Sequence, residues 1–188
     1  MILSPAAKKV SDAAVIHFSE KGFDVGSLNS VADAAGIKKP TIYSHFRNKH
    51  ELFLHIINES VAIETAFVRN CFEQDEQTGH CYLSEVIPRF HESPHLRLLL
   101  RTAFSPPESL KSQISKYYES FLKNIHEFYS EHMLCKYSSG TELFADAYLG
   151  IVDSVHVELI YATTLSAEVR RNAMWTVFSL ALHSTHKY

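Results

Sequence analysis

Glycine and proline are scarce, six of each in 188 residues. No Asn-Gly or Asp-Gly pair divides two alternating apolar runs, so the usual signal for β-hairpins is missing. No apolar run reaches the roughly 18 residues of a membrane-spanning helix, and the opening MILSPAAKK has no apolar stretch of a secretory signal. Cysteine is rare and odd in number: Cys71, Cys81 and Cys135 are widely scattered. That excludes a disulfide framework and predicts reduced thiols in a cytoplasmic protein. There is no Gly-rich phosphate loop and no nucleophile elbow, and no catalytic residue, metal or cofactor is expected.

What is present reads as helix throughout. Ala6, Val10, Ala13, Ala14 and Phe18 share one face of a first helix from about Pro5 to Lys21, with Gly22 just past its end. Ser27 is placed to cap a short second helix carrying Val31, Ala32 and Ala35 and stopping at Gly36. A third begins near Lys39–Pro40 and carries Ile42 and Phe46. A fourth starts at Asn48 and runs through Leu52, Phe53, Ile56 and Ile57 towards Cys71. Glu73 to Gly79 is a polar loop. Further helices are predicted around Tyr82–Phe90, from Ser93–Pro94 through Ala103, and after Pro106–Pro107, where Leu110, Ile114, Tyr117, Phe121, Ile125 and Phe128 recur every three or four residues. Tyr137–Thr141 is the next break. Segment 142–163 is apolar on more than one face, and Ser166 is expected to cap a last helix bearing Val169, Ala173, Val177 and Leu180.

Three short helices within sixty residues, with Gly36 at the tight turn, form the pattern of a helix-turn-helix. The charge pattern fits. Seven Lys/Arg against five Asp/Glu leave +2 on residues 1–55, while the remainder carries −5 of the chain's net −3. Between Asp33 and Glu51 there is no acid, and Lys38, Lys39, Arg47 and Lys49 all fall there. On the third helix, Ile42 and Phe46 supply a core side. Thr41, Tyr43 and His45 supply a polar side suited to phosphate and base contacts, with lysines around it. Singly, Tyr43 or His45 reads as a solvated surface residue; together, after this turn, they read as an interface.

The stretch from Val10 to Phe53, about a quarter of the chain, resembles the DNA-binding domain of the tetracycline-repressor (TetR) family. The segments AAVIHFSEKGF, SLNSVADAAGI and KKPTIYSHFRNKHELF carry the resemblance. It implies an all-α fold, with a helix-turn-helix DNA-binding domain over 1–47 and a helical ligand-binding and dimerisation domain over 48–188. Carried over by position, Tyr43, His45 and Lys49 are phosphate contacts, and Lys39, Pro40 and Thr41 read the groove. Asn29 matches a position that reaches a base edge, although Asn near a helix start also serves as a cap. Two departures stand out. His17 occupies a position usually held by leucine, which implies altered packing of the first helix, and Lys38 replaces a serine-like cap while adding positive charge beside the DNA.

The resemblance also implies a homodimer through the last two helices, reading a palindromic double-stranded operator and released by a small-molecule effector. The apolar excess of segment 142–163 points the same way, since a helix apolar all round needs cover on several sides. Phe67, Tyr82, Phe90, Tyr117, Phe121 and Tyr148 are candidates to line the effector cavity. Arg101 is a candidate partner for an acidic ligand, or simply a surface salt bridge. For each aromatic the plain alternative is an ordinary core, and an effector-free DNA-binding or partner-binding helical protein is the rival for the whole.

Three features compete with this reading. His91-Glu92-Ser93-Pro94-His95 matches the H-E-x-x-H zinc pattern, but Pro94 breaks the single helix that pattern needs. Twelve histidines, with His183 and His186 near the end, leave metal or pH sensing as a minor idea. Cys71 and Cys81 flank the polar loop and would suit a redox switch, or be small buried apolar residues.

Overall fold

The computed structural model of the protein describes residues 4–75, 78–136 and 140–185. Among them the regular elements are α1 (Pro5–Val25), α2 (Leu28–Ala35), α3 (Lys39–Tyr43), α4 (Lys49–Glu73), α5 (His80–Glu92), α6 (Pro94–Phe104), a short 3-10 turn (Glu108–Leu110), α7 (Lys111–Lys136), α8 (Thr141–Tyr161) and α9 (Thr164–Thr185). The fold is all-α, as the periodicity requires. No helix among the described residues is long and apolar enough to cross a membrane. His186 and parts of the two breaks, residues 76–77 and 137–139, lie outside the described residues.

Helix ends follow local chemistry. Ser4 caps α1 by accepting from the Ala7 amide, and Ser93 caps α6 by accepting from the Leu96 amide. Gly22 interrupts α1 at φ 72°, a left-handed value that glycine tolerates, so one more turn follows the break instead of the helix ending there. The third helix is shorter than its apolar pattern predicts: Phe46 lies beyond α3 and is held by its amide bonding to the Ile42 carbonyl at 2.9 Å. At the last helix the expected cap is corrected. Thr163 Oγ1 accepts from the Ser166 amide, and Ser166 instead donates to the Glu158 carboxylate.

The chain packs into two compact units, one running to Glu64 and including Ser93–Tyr118, the other comprising Thr65–Glu92 and the chain from Glu119. This packing division does not follow the 47/48 line expected from the resemblance. In the first unit Val10, Phe18, Val31, Ile42, Phe53, Ile56 and Leu98 form the core. Phe18 and Phe23 both set their rings edge-on to Phe53, at 5.3 and 4.8 Å between centroids. Burial of each such side chain contributes about 1.5–3 kcal/mol. In the second unit α8 packs on α9, and Tyr129 stacks on Tyr148 at 4.5 Å.

Candidate nucleic-acid interface

The first unit builds a rigid mount for α3. Ser27 caps α2 by accepting from the Ser30 amide at 3.1 Å. At the other end Gly36 sits at φ 63°, ψ 38°, and the amides of Gly36 and Ile37 return to the carbonyls of Asp33 and Ala32, each at 3.0 Å. This left-handed turn satisfies the last carbonyls of α2 and redirects the chain into α3. Lys38 makes no side-chain cap, as its replacement of a serine predicts, and Pro40 sets the first turn without needing an amide donor.

Ile42 is fully buried and Phe46 nearly so, which anchors one side of α3. Asn29, Lys38, Lys39, Pro40, Tyr43 and His45 are exposed, with Thr41 partly covered among them. The Lys39 ammonium stands 6.0 Å from the Tyr43 ring centre, so charge and planar ring share one face a helical turn apart. Lys49 differs from the others. It is partly covered, donates to the Asp24 carbonyl at 3.4 Å, and lies 4.3 Å from the Phe23 ring centre. Desolvation lowers its pKa, against the pull of Asp24. The anticipated phosphate contact is thus also a brace for the end of α1.

The joint from α3 to α4 is hydrogen-bonded on both sides. Asn48 Oδ1 accepts from the Glu51 amide at 2.9 Å, while the Glu51 carboxylate accepts from the Arg47 amide at 2.6 Å. This is close to a capping box, displaced by one residue. Arg47 is exposed in the same acid-free run; its charge was legible in the sequence without marking a role for it. His17 explains its departure from leucine: its Nε2 accepts from the Ser27 amide at 3.3 Å and ties α1 to the start of α2. Desolvation lowers the His17 pKa, favouring the neutral ring that this bond needs.

The expected effector residues are divided between the two units. Arg101 and Tyr117 belong to the first unit. Arg101 donates to the carbonyls of Glu20 (2.8 Å) and Ser19 (3.5 Å), closing the end of α1 before the Gly22 break, and lines a cleft of about 210 Å³ with Lys21, Phe53 and Thr102. Tyr117 packs against that unit's core. In the second unit Phe67 meets Tyr82 edge-on at 6.5 Å, and Phe90 lies beside His91. Tyr82 and Phe121 converge on His156, a residue that the apolar stripe of α8 concealed. The Tyr82 hydroxyl is 3.2 Å from His156 Nε2, and Phe121 stacks on its ring. Complete burial lowers the His156 pKa to about 3. Tyr148 donates to the Gly79 carbonyl at 2.7 Å, in a neighbouring ring cluster with Phe72 and Tyr129.

The H-E-x-x-H string does not form a zinc site. Ser93–Pro94 separates α5 from α6, His91 engages Thr164 at 2.9 Å, and His95 engages Ser60 at 3.0 Å. His183 contacts the Ser179 carbonyl in its own helix.

Residues 10–56 match the family model of bacterial regulatory proteins, tetR family. The chain is 35% identical over 82 residues to the HTH-type transcriptional repressor BdcR of Escherichia coli, covering 44% of this chain and 41% of BdcR. It is 26% identical over 133 residues to the biofilm operon icaADBC HTH-type negative transcriptional regulator IcaR of Staphylococcus aureus, covering 65% and 69%. Its fold is similar to that of the fatty acid degradation regulator FadR from Bacillus halodurans, with TM-score 0.70, 18% identity and coverage of 93% and 96%. The FadR of Bacillus subtilis in complex with stearoyl-CoA superposes with TM-score 0.66 at 14% identity, covering 89% and 96%. With the capped second helix, its left-handed turn and the short third helix in agreement with that match, residues 10–56 form a domain of the kind found in the tetR family of bacterial regulatory proteins.

Proposed function

We propose that this protein is a DNA-binding transcriptional regulator: a homodimeric repressor that holds a palindromic operator and releases it when a small molecule binds the helical body. The observation that carries the reading is the outer face of α3, where Lys39, Pro40, Thr41, Tyr43 and His45 project from a helix fixed by Ile42 and Gly36. Lys38 and Lys49 add phosphate-seeking charge at its edges, and Asn29 offers a neutral amide from α2 that can reach a base edge. Residues 1–47 then read DNA and 48–188 pair and sense, a role that places the protein in the cytoplasm.

Support for pairing comes from α8 and α9. Leu165, Val169, Val177 and Leu180 are each more than 60% exposed, on one stripe of α9 that also holds Ala173. Beside it, Ala147, Ile151, Ala173, Met174, Val177 and Phe178 line an apolar groove of about 440 Å³. Two subunits joined there offer two copies of α3 to half-sites about 34 Å apart. BdcR and IcaR are themselves negative regulators. An effector with an apolar body and a polar tip suits Tyr82, Phe121 and His156, and it shifts operator affinity only through its different affinity for the two states.

The close packing of Tyr82 on His156 and of Tyr148 on Tyr129 favours a second reading, a DNA-binding protein with no effector. Genomic footprinting followed by titration of the operator tests both. A dimer with salt-dependent operator binding is expected; a monomer that ignores duplex DNA at low salt overturns the proposal. If no compound encoded by the neighbouring genes' pathway alters affinity, the effector-free reading replaces the switch.

A further inference from the structure

Within the first unit, the end of α1 and the end of α6 border the cleft of about 210 Å³ that Arg101 lines. Two cations, Lys21 and Arg101, share it with one acid, Asp24, and with the hydroxyl residues Thr102 and Ser105. Arg101 is fixed there by its own chain. Its bonds to the carbonyls of Glu20 at 2.8 Å and Ser19 at 3.5 Å both use Nη1. Because the guanidinium is planar, anchoring Nη1 also sets the direction of the Nε–Nη2 edge. That edge is turned to Gly22, which lines the same cleft. A Cβ on Gly22 would stand 3.5 Å from Nε and 3.7 Å from Nη2, but 3.9 Å from Cζ. The two donors therefore look into space that any larger residue would fill. The glycine that breaks α1 also keeps this edge open.

Two parallel N–H donors match two oxygens of one carboxylate or phosphate group, the pairing in which arginine is strongest. Lys21 adds a second positive charge, and the Thr102 and Ser105 hydroxyls are able to donate to further oxygens. Asp24 reduces the lining charge to a net +1, which suits one small oxyanion better than a polyanion. The volume agrees, since drug-sized ligands occupy about 300–1,000 Å³. We propose that this cleft binds a compact oxyanion, with two of its oxygens on Arg101 Nε and Nη2 and the Lys21 ammonium beside them. It is a second ligand site, carried by the unit that holds α3 and built from none of the residues Tyr82, Phe121 and His156.

The test is a titration of the ¹⁵N-labelled full chain, followed by NMR at pH 7.5 with chloride exchanged to hold ionic strength constant. Inorganic phosphate is the probe in one arm and succinate in the other, and the tighter of the two identifies the head group. In at least one arm the Gly22 amide and the Arg101 Nε–H should shift and saturate at one anion per chain. Arg101→Lys keeps the charge but not the fork and should weaken binding about tenfold or more. Lys21→Ala, at an exposed position that leaves the fold alone, should weaken it about threefold. Shifts that stay linear with concentration in both arms overturn the proposal, as does saturation that neither substitution changes. The spectra are read without DNA, so the result is independent of operator binding.

Discussion

The Lys49 ammonium rests 4.3 Å from the centre of the Phe23 ring, across the end of α1 from the helix it begins. Its charge is held in place before any partner arrives, so little side-chain freedom remains to be lost on meeting a phosphate.

Removing that charge, by Lys49→Ala, should weaken binding to every duplex alike and reduce the salt slope of the affinity by about one. Tyr43→Ala should also weaken binding uniformly. Lys39→Ala should behave differently, changing preference among operator variants by about 1–3 kcal/mol at one base pair. Fluorescence anisotropy across salt and operator series separates the two patterns. Parent-like binding by all three variants would contradict the docking of α3.

The two glycines around α2 make contrasting demands. Gly36→Ala meets open space, the nearest atom being Lys9 Nζ at 3.9 Å, so its cost is the left-handed backbone alone, roughly 1–2 kcal/mol. Gly26→Ala would set a Cβ 2.5 Å from the Phe18 ring and should cost more, because a core aromatic must move. Thermal unfolding should rank Gly26→Ala below Gly36→Ala, and Gly36→Ala below the parent. The reverse order would refute the packing described around Phe18.

His156 makes stability depend on pH. The unfolded chain protonates this residue near pH 6.5, whereas the folded one does so only near about 3. Between those values the unfolded state binds one more proton. The contribution is therefore fully present above about pH 6.5 and is lost as pH falls towards 3, by about 1.4 kcal/mol per unit. His156→Phe removes this linkage. From pH 7 to 5 the parent should lose about 2 kcal/mol more than the variant, and parallel melting curves for the two would exclude a buried neutral histidine.

Val177 is 70% exposed on the apolar stripe of α9 and borders its groove. If subunits pair there, Val177→Glu buries a charge without a partner. The expected penalty, about 3 kcal/mol or more, raises the dimer dissociation constant by over about 100-fold. Sedimentation velocity should detect monomer at concentrations where the parent is paired. An unchanged distribution would locate the subunit contact elsewhere.

Most of the helix boundaries were legible because local chemistry sets them: Ser27 and Gly36 bracket α2, and Ser93–Pro94 starts α6. The exposed face of α3 was legible too, since burial of Ile42 and Phe46 determines which side remains outside. The contacts that come from distant chain segments were not. Nothing beside Arg101 in sequence announces the carbonyls of Ser19 and Glu20, some eighty residues earlier. His156 was hidden among Val152, Val155 and Leu159, because an apolar stripe gives no sign that one member meets a tyrosine hydroxyl from another helix. At the last helix Ser166 was expected as the cap, but its amide donates to Thr163 Oγ1, so the helix begins three residues earlier than its apolar pattern suggested.

The bonds that Arg47, Asn48 and Glu51 exchange have a mechanical consequence. They leave the link between α3 and α4 little slack, so it acts as a stiff elbow. If the long helix rolls about its axis, the short one is then expected to turn with it, instead of the motion being absorbed by the five residues between them.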